Sequence, residues 1–116
     1  MDAGRIINQK TARNQVLGGV VMGIGMALFE ETIYDQRNGK PLNNNFADYI
    51  VSTNADIPEM DCIFIEYPDL NLNEYGARGV GEIGLTGVAP ALTMAVYHAT
   101  GVRVRDLPIR IEQLLA

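Results

Sequence analysis

The sequence predicts an α+β fold, two main helices packed on a small sheet, and three features point to it. Apolar residues recur at helical spacing near the start and again near residue 90. A turn dipeptide lies between short apolar segments in the middle. A six-residue apolar run then has the look of an interior strand.

The first helix is expected over about 9–31. Asn8 can cap it, and Leu17, Val20, Val21, Ile24 and Leu28 fall on one helical face. Gly18, Gly19, Gly23 and Gly25 stand inside the same helix. Each costs roughly 1 kcal/mol against alanine, so a compensating close approach, by another backbone or by a ligand, is expected. Gly-xxx-Gly spacing also occurs in membrane helix pairs. Here the longest uncharged run, residues 14–29, is short for a bilayer and ends in Glu30-Glu31, so no membrane span is expected.

A β-hairpin is expected near 32–42, where Thr32 to Tyr34 and Pro41-Leu42 flank Asn38-Gly39. Residues 43–58 are polar and turn-rich. Cys62 to Tyr67 is apolar on both faces, as an interior strand would be, and Cys62 there suits a buried structural thiol. A glycine loop follows over 76–84. The second helix is expected over about 86–100, with Thr86 opening it, Pro90 in its first turn and Gly101 ending it. Its buried face would be Val88, Leu92, Ala95, Val96 and Ala99. A short strand over 102–104 and a last helical turn over 112–115 complete the reading. At 116 residues this is a single domain, 1–116, able to bury roughly two thirds of its unfolded surface.

Charge narrows the function. The net charge is −5, and residues 30–82 hold eleven acidic groups against Arg37, Lys40 and Arg78. Such a surface repels phosphate backbones, which excludes nucleic acid as a partner. A single cysteine, Cys62, rules out an internal disulfide and a self-contained thiolate metal site. The first residues lack the pattern of a secretory signal, so a cytoplasmic location is expected, with the periplasm as the alternative.

The most informative stretch runs from Gly76 to Gly87, five glycines around one carboxylate, Glu82. Gly79-x-Gly81-x-x-Gly84 matches a dinucleotide-binding fingerprint, but no apolar strand leads into it. Glu82 would also stand where pyrophosphate must meet backbone N–H groups. Two readings of Glu82 stay open on the residues alone. It is either a loop carboxylate at the positive end of the second helix or a general base in a dry, glycine-walled pocket. His98, near the end of that helix, suits a charge–dipole role.

Gly79-Val80-Gly81-Glu82-Ile83-Gly84, with Ala95 to Ile109, closely resembles the C-terminus of the molybdopterin-binding subunit of the xanthine dehydrogenase/aldehyde oxidoreductase family. Asp2 to Asn8 and Gln15-Val16-x-Gly18-Gly19-x-x-Met22-Gly23-x-Gly25-Met26-Ala27-Leu28-x-Glu30-Glu31 resemble it too. Ile83-Gly84 departs from the Pro-Pro of many members and is similar to the bacterial aldehyde-oxidising branch. Gln9 and Met94 also depart from the common pattern, though neither is a chemical residue.

The resemblance implies a fragment of a molybdenum hydroxylase, the C-terminal part of a molybdopterin-binding domain. Such an enzyme oxidises an aldehyde or N-heterocycle with water as oxygen source. Glu82 then matches the catalytic glutamate, a general base that takes a proton as oxygen attacks an electrophilic carbon. Gln15 and Gly81 match cofactor-binding positions, and no side chain is expected to ligate the metal directly. The molybdopterin-type cofactor would belong to the parent enzyme, with none expected in the isolated chain. Iron–sulfur clusters and FAD would sit on other domains or subunits. The expected partners are the remainder of the subunit and the iron–sulfur and flavin subunits. The isolated chain is expected to be inactive and to self-associate. The alternative is a stand-alone binding or structural module that keeps the fold without catalysis.

Overall fold

The computed structural model describes residues 1–115. Helix α1 spans Gln9–Leu28 and helix α2 spans Val88–Thr100, with 3-10 turns at Ile83–Gly87 and Ile111–Leu114. Among the described residues there is no sheet. Two isolated bridges, Gly4 with Ala77 and Tyr34 with Pro41, are the extent of the β pairing. The expected α+β architecture is therefore corrected to two helices carrying long irregular connections.

The correction has a local cause at each place. Near 32–42 the chain does reverse: the Asp35 N–H donates to the Lys40 carbonyl at 2.8 Å and the Leu42 N–H to the Ile33 carbonyl at 2.7 Å. One bridge does not propagate into a ladder, so this is a tight turn and not a β-hairpin. Over 62–67 no extended neighbour lies alongside. Ile63 and Ile65 are 84% and 88% exposed, and Cys62 is only half-buried. An apolar run becomes a strand only when another segment pairs its backbone. The expected short strand over 102–104 is likewise unpaired.

The helices follow their local signals. The Asn8 side chain accepts from the Thr11 N–H at 3.1 Å and starts α1. That helix ends at Leu28, three residues before the expected end, where the Phe29 and Glu30 N–H groups share the Gly25 carbonyl. Gly101, at φ +77°, closes α2 with its N–H on the Tyr97 carbonyl. The buried residues of α1 are Ala12, Gly19, Gly23, Ile24, Gly25 and Ala27. The larger residues Leu17, Val20, Val21 and Leu28 are only half-buried. Small residues face inward because α2 and the turn before it lie directly on the helix backbone. No residue of α2 is fully buried, and Ala95 and Ala99 of its expected inner face are exposed.

The folded chain leaves much apolar surface bare. It exposes 8723 Å², against ~6,200 Å² for a compact monomer of its mass. Its radius of gyration is 18.0 Å, where about 13 Å would be usual. Little more than half of the unfolded surface is thus buried, less than its length allows. Among the described residues no large side chain is fully buried, and a small cluster of Ala3, Ile6 and Ala12 gathers Phe64 and Val80.

Candidate functional site

Glu82 stands at the head of the 3-10 turn Ile83–Gly87, which runs straight into α2. The Glu82 carbonyl accepts the Leu85 N–H at 2.9 Å, and the Ile83 carbonyl accepts the Thr86 hydroxyl at 3.0 Å. These bonds fix the backbone of the turn, which packs on α1. The Glu82 side chain makes no capping bond to its own helix. Its carboxylate instead lies over α1: Oε1 is 2.9 Å from where a Cβ on Gly18 would stand. The Glu82 carbonyl oxygen is 3.1 Å from the corresponding point on Gly19.

Gln15 lies one turn before Gly18, and residues three apart on a helix face the same way, with Cβ positions ~5–6 Å apart. The fold therefore brings Gln15 and Glu82 onto one face, and Gln15 is exposed there. Gly81 adjoins them, half-buried. All three candidate site residues share one surface. It is an open wall, on which Glu82 itself is exposed. Concavities lie elsewhere, such as one of about 360 Å³ bordered by Thr32, Phe46 and Tyr49.

The loop backbone on this wall is bare. A Cβ added at Gly79, Gly81, Gly84 or Gly87 would meet no atom within 4 Å. The loop is anchored at its entrance by the N-terminal segment. The Arg5 N–H donates to the Gly76 carbonyl at 2.8 Å and the Arg78 N–H to the Ala3 carbonyl at 2.9 Å. Arg78 also pairs with Asp69 and, at 3.4 Å, with Asp2. That guanidinium holds the Asp69 carboxyl below the usual carboxylate range. Just beyond the end of α1, the Tyr49 hydroxyl donates to Glu30 at 2.9 Å, and this bond to a carboxylate pushes the phenol pKa up.

This surface suits a bulky organic cofactor. Glycine backbone allows a flat ligand to approach closely, and Gln15 and Glu82 offer an amide and a carboxylate beside it. Among the described residues no three His, Cys, Asp or Glu side chains cluster to hold a metal ion. No described helix is long and apolar enough to cross a membrane. His98 is exposed in the last turn of α2, away from this wall in sequence and without a ligand cluster. Sequence reading placed Gly18 among four helix glycines that permit a close approach but did not identify the Glu82 carboxylate as the group its missing Cβ admits. The adjacent Gly18-Gly19 pair inside a helix was the available signal.

Known proteins resemble this chain in sequence and in fold. The chain is 50% identical over 113 residues to the aldehyde oxidoreductase molybdenum-binding subunit PaoC of Escherichia coli, covering 97% of this chain and 15% of that protein. It is 38% identical to the 6-hydroxypseudooxynicotine dehydrogenase complex subunit gamma of Paenarthrobacter nicotinovorans, covering 99% and 15%. Among solved structures, quinoline 2-oxidoreductase from Pseudomonas putida 86 matches with a TM-score of 0.86 at 30% identity, over 98% of this chain and 15% of that one. The chain thus spans about one seventh of the length of these relatives. The family profile described as a molybdopterin cofactor-binding domain matches residues 1–58, which include α1 with Gln15 and Gly18. With half the chain matched by that profile, and the two helices and loop shared with molybdenum enzymes, the chain belongs to the molybdopterin cofactor-binding domain family.

Proposed function

We propose that this chain is a segment, from the C-terminal part, of the molybdenum-binding subunit of a hydroxylase that oxidises an aldehyde or N-heterocycle with water as oxygen source. One observation carries the reading. Glu82, Gln15 and a side-chain-free stretch of loop backbone share a single face, although they come from distant parts of the sequence. The aldehyde oxidoreductase relative supports the substrate class.

When bound, the molybdenum cofactor supplies the redox chemistry. Gln15 offers its amide to hold the cofactor, and Gly81 lets the cofactor lie against the main chain. Glu82 acts as the general base, accepting a proton on its carboxylate as the substrate carbon is attacked. Its backbone is fixed by the 3-10 turn, and its side chain rests on Gly18, so little motion is needed to present an oxygen. Enclosure, and with it the exclusion of water, comes from the rest of the subunit. Iron–sulfur clusters and FAD would sit on other domains or subunits and would supply the onward electron transfer, with the cytoplasm as the proposed location. The chain alone, one wall of a pocket, is inactive and holds no cofactor, which metal analysis of the purified chain checks. Its bare apolar surface drives self-association, and a monomeric light-scattering mass at high concentration would count against that.

The decisive test is a chimera in which this chain replaces the matching segment of the E. coli aldehyde oxidoreductase subunit. Glu82→Gln should retain the cofactor and lower kcat and kcat/KM together by about 10²–10⁴-fold. A fully loaded Glu82→Gln chimera turning over within a few-fold of its parent would reduce Glu82 to a loop carboxylate. Gln15→Ala should lower cofactor content instead.

A further inference from the structure

We infer that Gly18 is a positioning residue: the gap left by its missing Cβ is the seat that sets where the Glu82 carboxylate rests. The inference rests on reading Glu82 as the general base for its functional weight, and on geometry alone for the contact.

The four glycines of α1 meet different kinds of neighbour. A Cβ at Gly23 would run into all three branching carbons of Val88, and one at Gly19 would press on the backbone of residues 82 and 85. These positions concern how closely α2 and its leading turn approach α1. At Gly18 the single neighbour within 4 Å is Oε1 of Glu82, the far end of a flexible side chain. A methyl group there leaves backbone packing untouched and forces only the carboxylate to move. Even alanine would therefore displace the base, while the fold has an inexpensive way to adapt. Helix propensity favours alanine at this position by roughly 1 kcal/mol, so glycine is not there for the helix. Gln15, one turn away on the same face, makes a displacement of this oxygen a change in the relation between base and cofactor-binding amide.

The contact is tested in the whole 116-residue chain by NMR with labelled glutamate, the Glu82 carboxyl resonance being identified by its loss in Glu82→Gln. In Gly18→Ala that resonance should shift and the Glu82 contacts to the residue-18 α-proton should weaken, with helical content unchanged. An unmoved resonance with undiminished contacts would overturn the inference. Should Gly18→Ala unfold the chain, the same change is made in a Glu82→Ala background. Recovery of the fold there identifies the carboxylate as the sole obstruction, and continued unfolding overturns the inference. In the chimera, Gly18→Ala should keep its molybdenum content and lower kcat by about tenfold to a hundredfold, the scale of an ångström-sized misplacement, with KM little changed. Unchanged kcat in a chimera whose Glu82→Gln variant is inactive overturns the positioning role. An active Glu82→Gln chimera instead removes the general-base reading while leaving the NMR contact standing.

Discussion

The two glycine-rich regions have similar compositions and opposite surroundings. In α1, side-chain atoms added at Gly18, Gly19, Gly23 and Gly25 would each meet protein. In the loop, those added at Gly79, Gly81, Gly84 and Gly87 would meet nothing within 4 Å. Glycine in the helix is explained by the chain itself, since it permits the approach of Glu82, Val88 and Glu30. These four loop glycines have no such explanation within the described residues, and unlike Gly76 at the loop entrance their backbone is not in the left-handed region that would demand glycine. The difference separates the glycines that build the wall from those that keep its surface clear.

The largest break in that comparison should come at Gly23. Alanine there must push on Val88 at its branching carbon, close to the α2 backbone, where rotamer change gives little relief. Overpacking of this kind costs about 1–3 kcal/mol, against which the better helix propensity of alanine is a partial offset. Gly23→Ala should lower the thermal midpoint by several degrees. Truncating Val88 to alanine in the same chain should return most of the loss. If Gly23→Ala melted at or above the parent temperature, the close approach of the helices would be in error.

Gly81→Ala should sharpen the contrast from the other side. The chain's own stability should stay within about 0.5 kcal/mol, as for a surface change that touches nothing. In the chimera, the added methyl would project toward the proposed cofactor, and molybdenum content should fall by about tenfold, the equivalent of one modest steric clash. Undiminished molybdenum with full activity would show that the loop is open for another reason.

What could be read in advance followed how local the determining interactions are. Asn8 and Gly101 mark helix ends through bonds within a few residues, and both are found where expected. The sheet was misread because Cys62 to Tyr67 has a strand's composition wherever its partner lies, and no partner segment runs beside it here. The inward face of α1 was only partly read, with Ile24 buried as expected, for a related reason. Periodicity ranks Leu17, Val20 and Val21 by hydrophobicity, whereas the approach of α2 selects the smallest residues. For the site, the residues alone left Glu82 between two roles, and the family resemblance singled out Gln15 and Gly81. That all three share one face, and that Gly18 seats the carboxylate, depends on contacts across the fold.

The smallest expected effect concerns how each region is anchored. The Gly19 and Gly23 contacts of α1 involve backbone and Val88, none of which titrates. The loop entrance depends partly on Arg78, paired with Asp69 and Asp2. Because the folded state holds the Asp69 carboxyl below its ordinary value, the linked stabilisation is complete above about pH 4, the unfolded carboxyl range. It is lost as pH falls through the lower folded value. Both partners are accessible to solvent, so the contribution is small and weakened by salt. Amide exchange followed from about pH 5 down to about pH 2, corrected for intrinsic acid and base rates, should show Gly76 and Arg78 losing protection before Gly23. Asp69→Asn should remove that early loss, leaving the entrance looser at every pH and α1 unchanged. Simultaneous loss at Arg78 and Gly23 would mean that loop and helix open as one unit. The separation between a packed wall and an electrostatically pinned loop would then hold for side-chain space but not for stability.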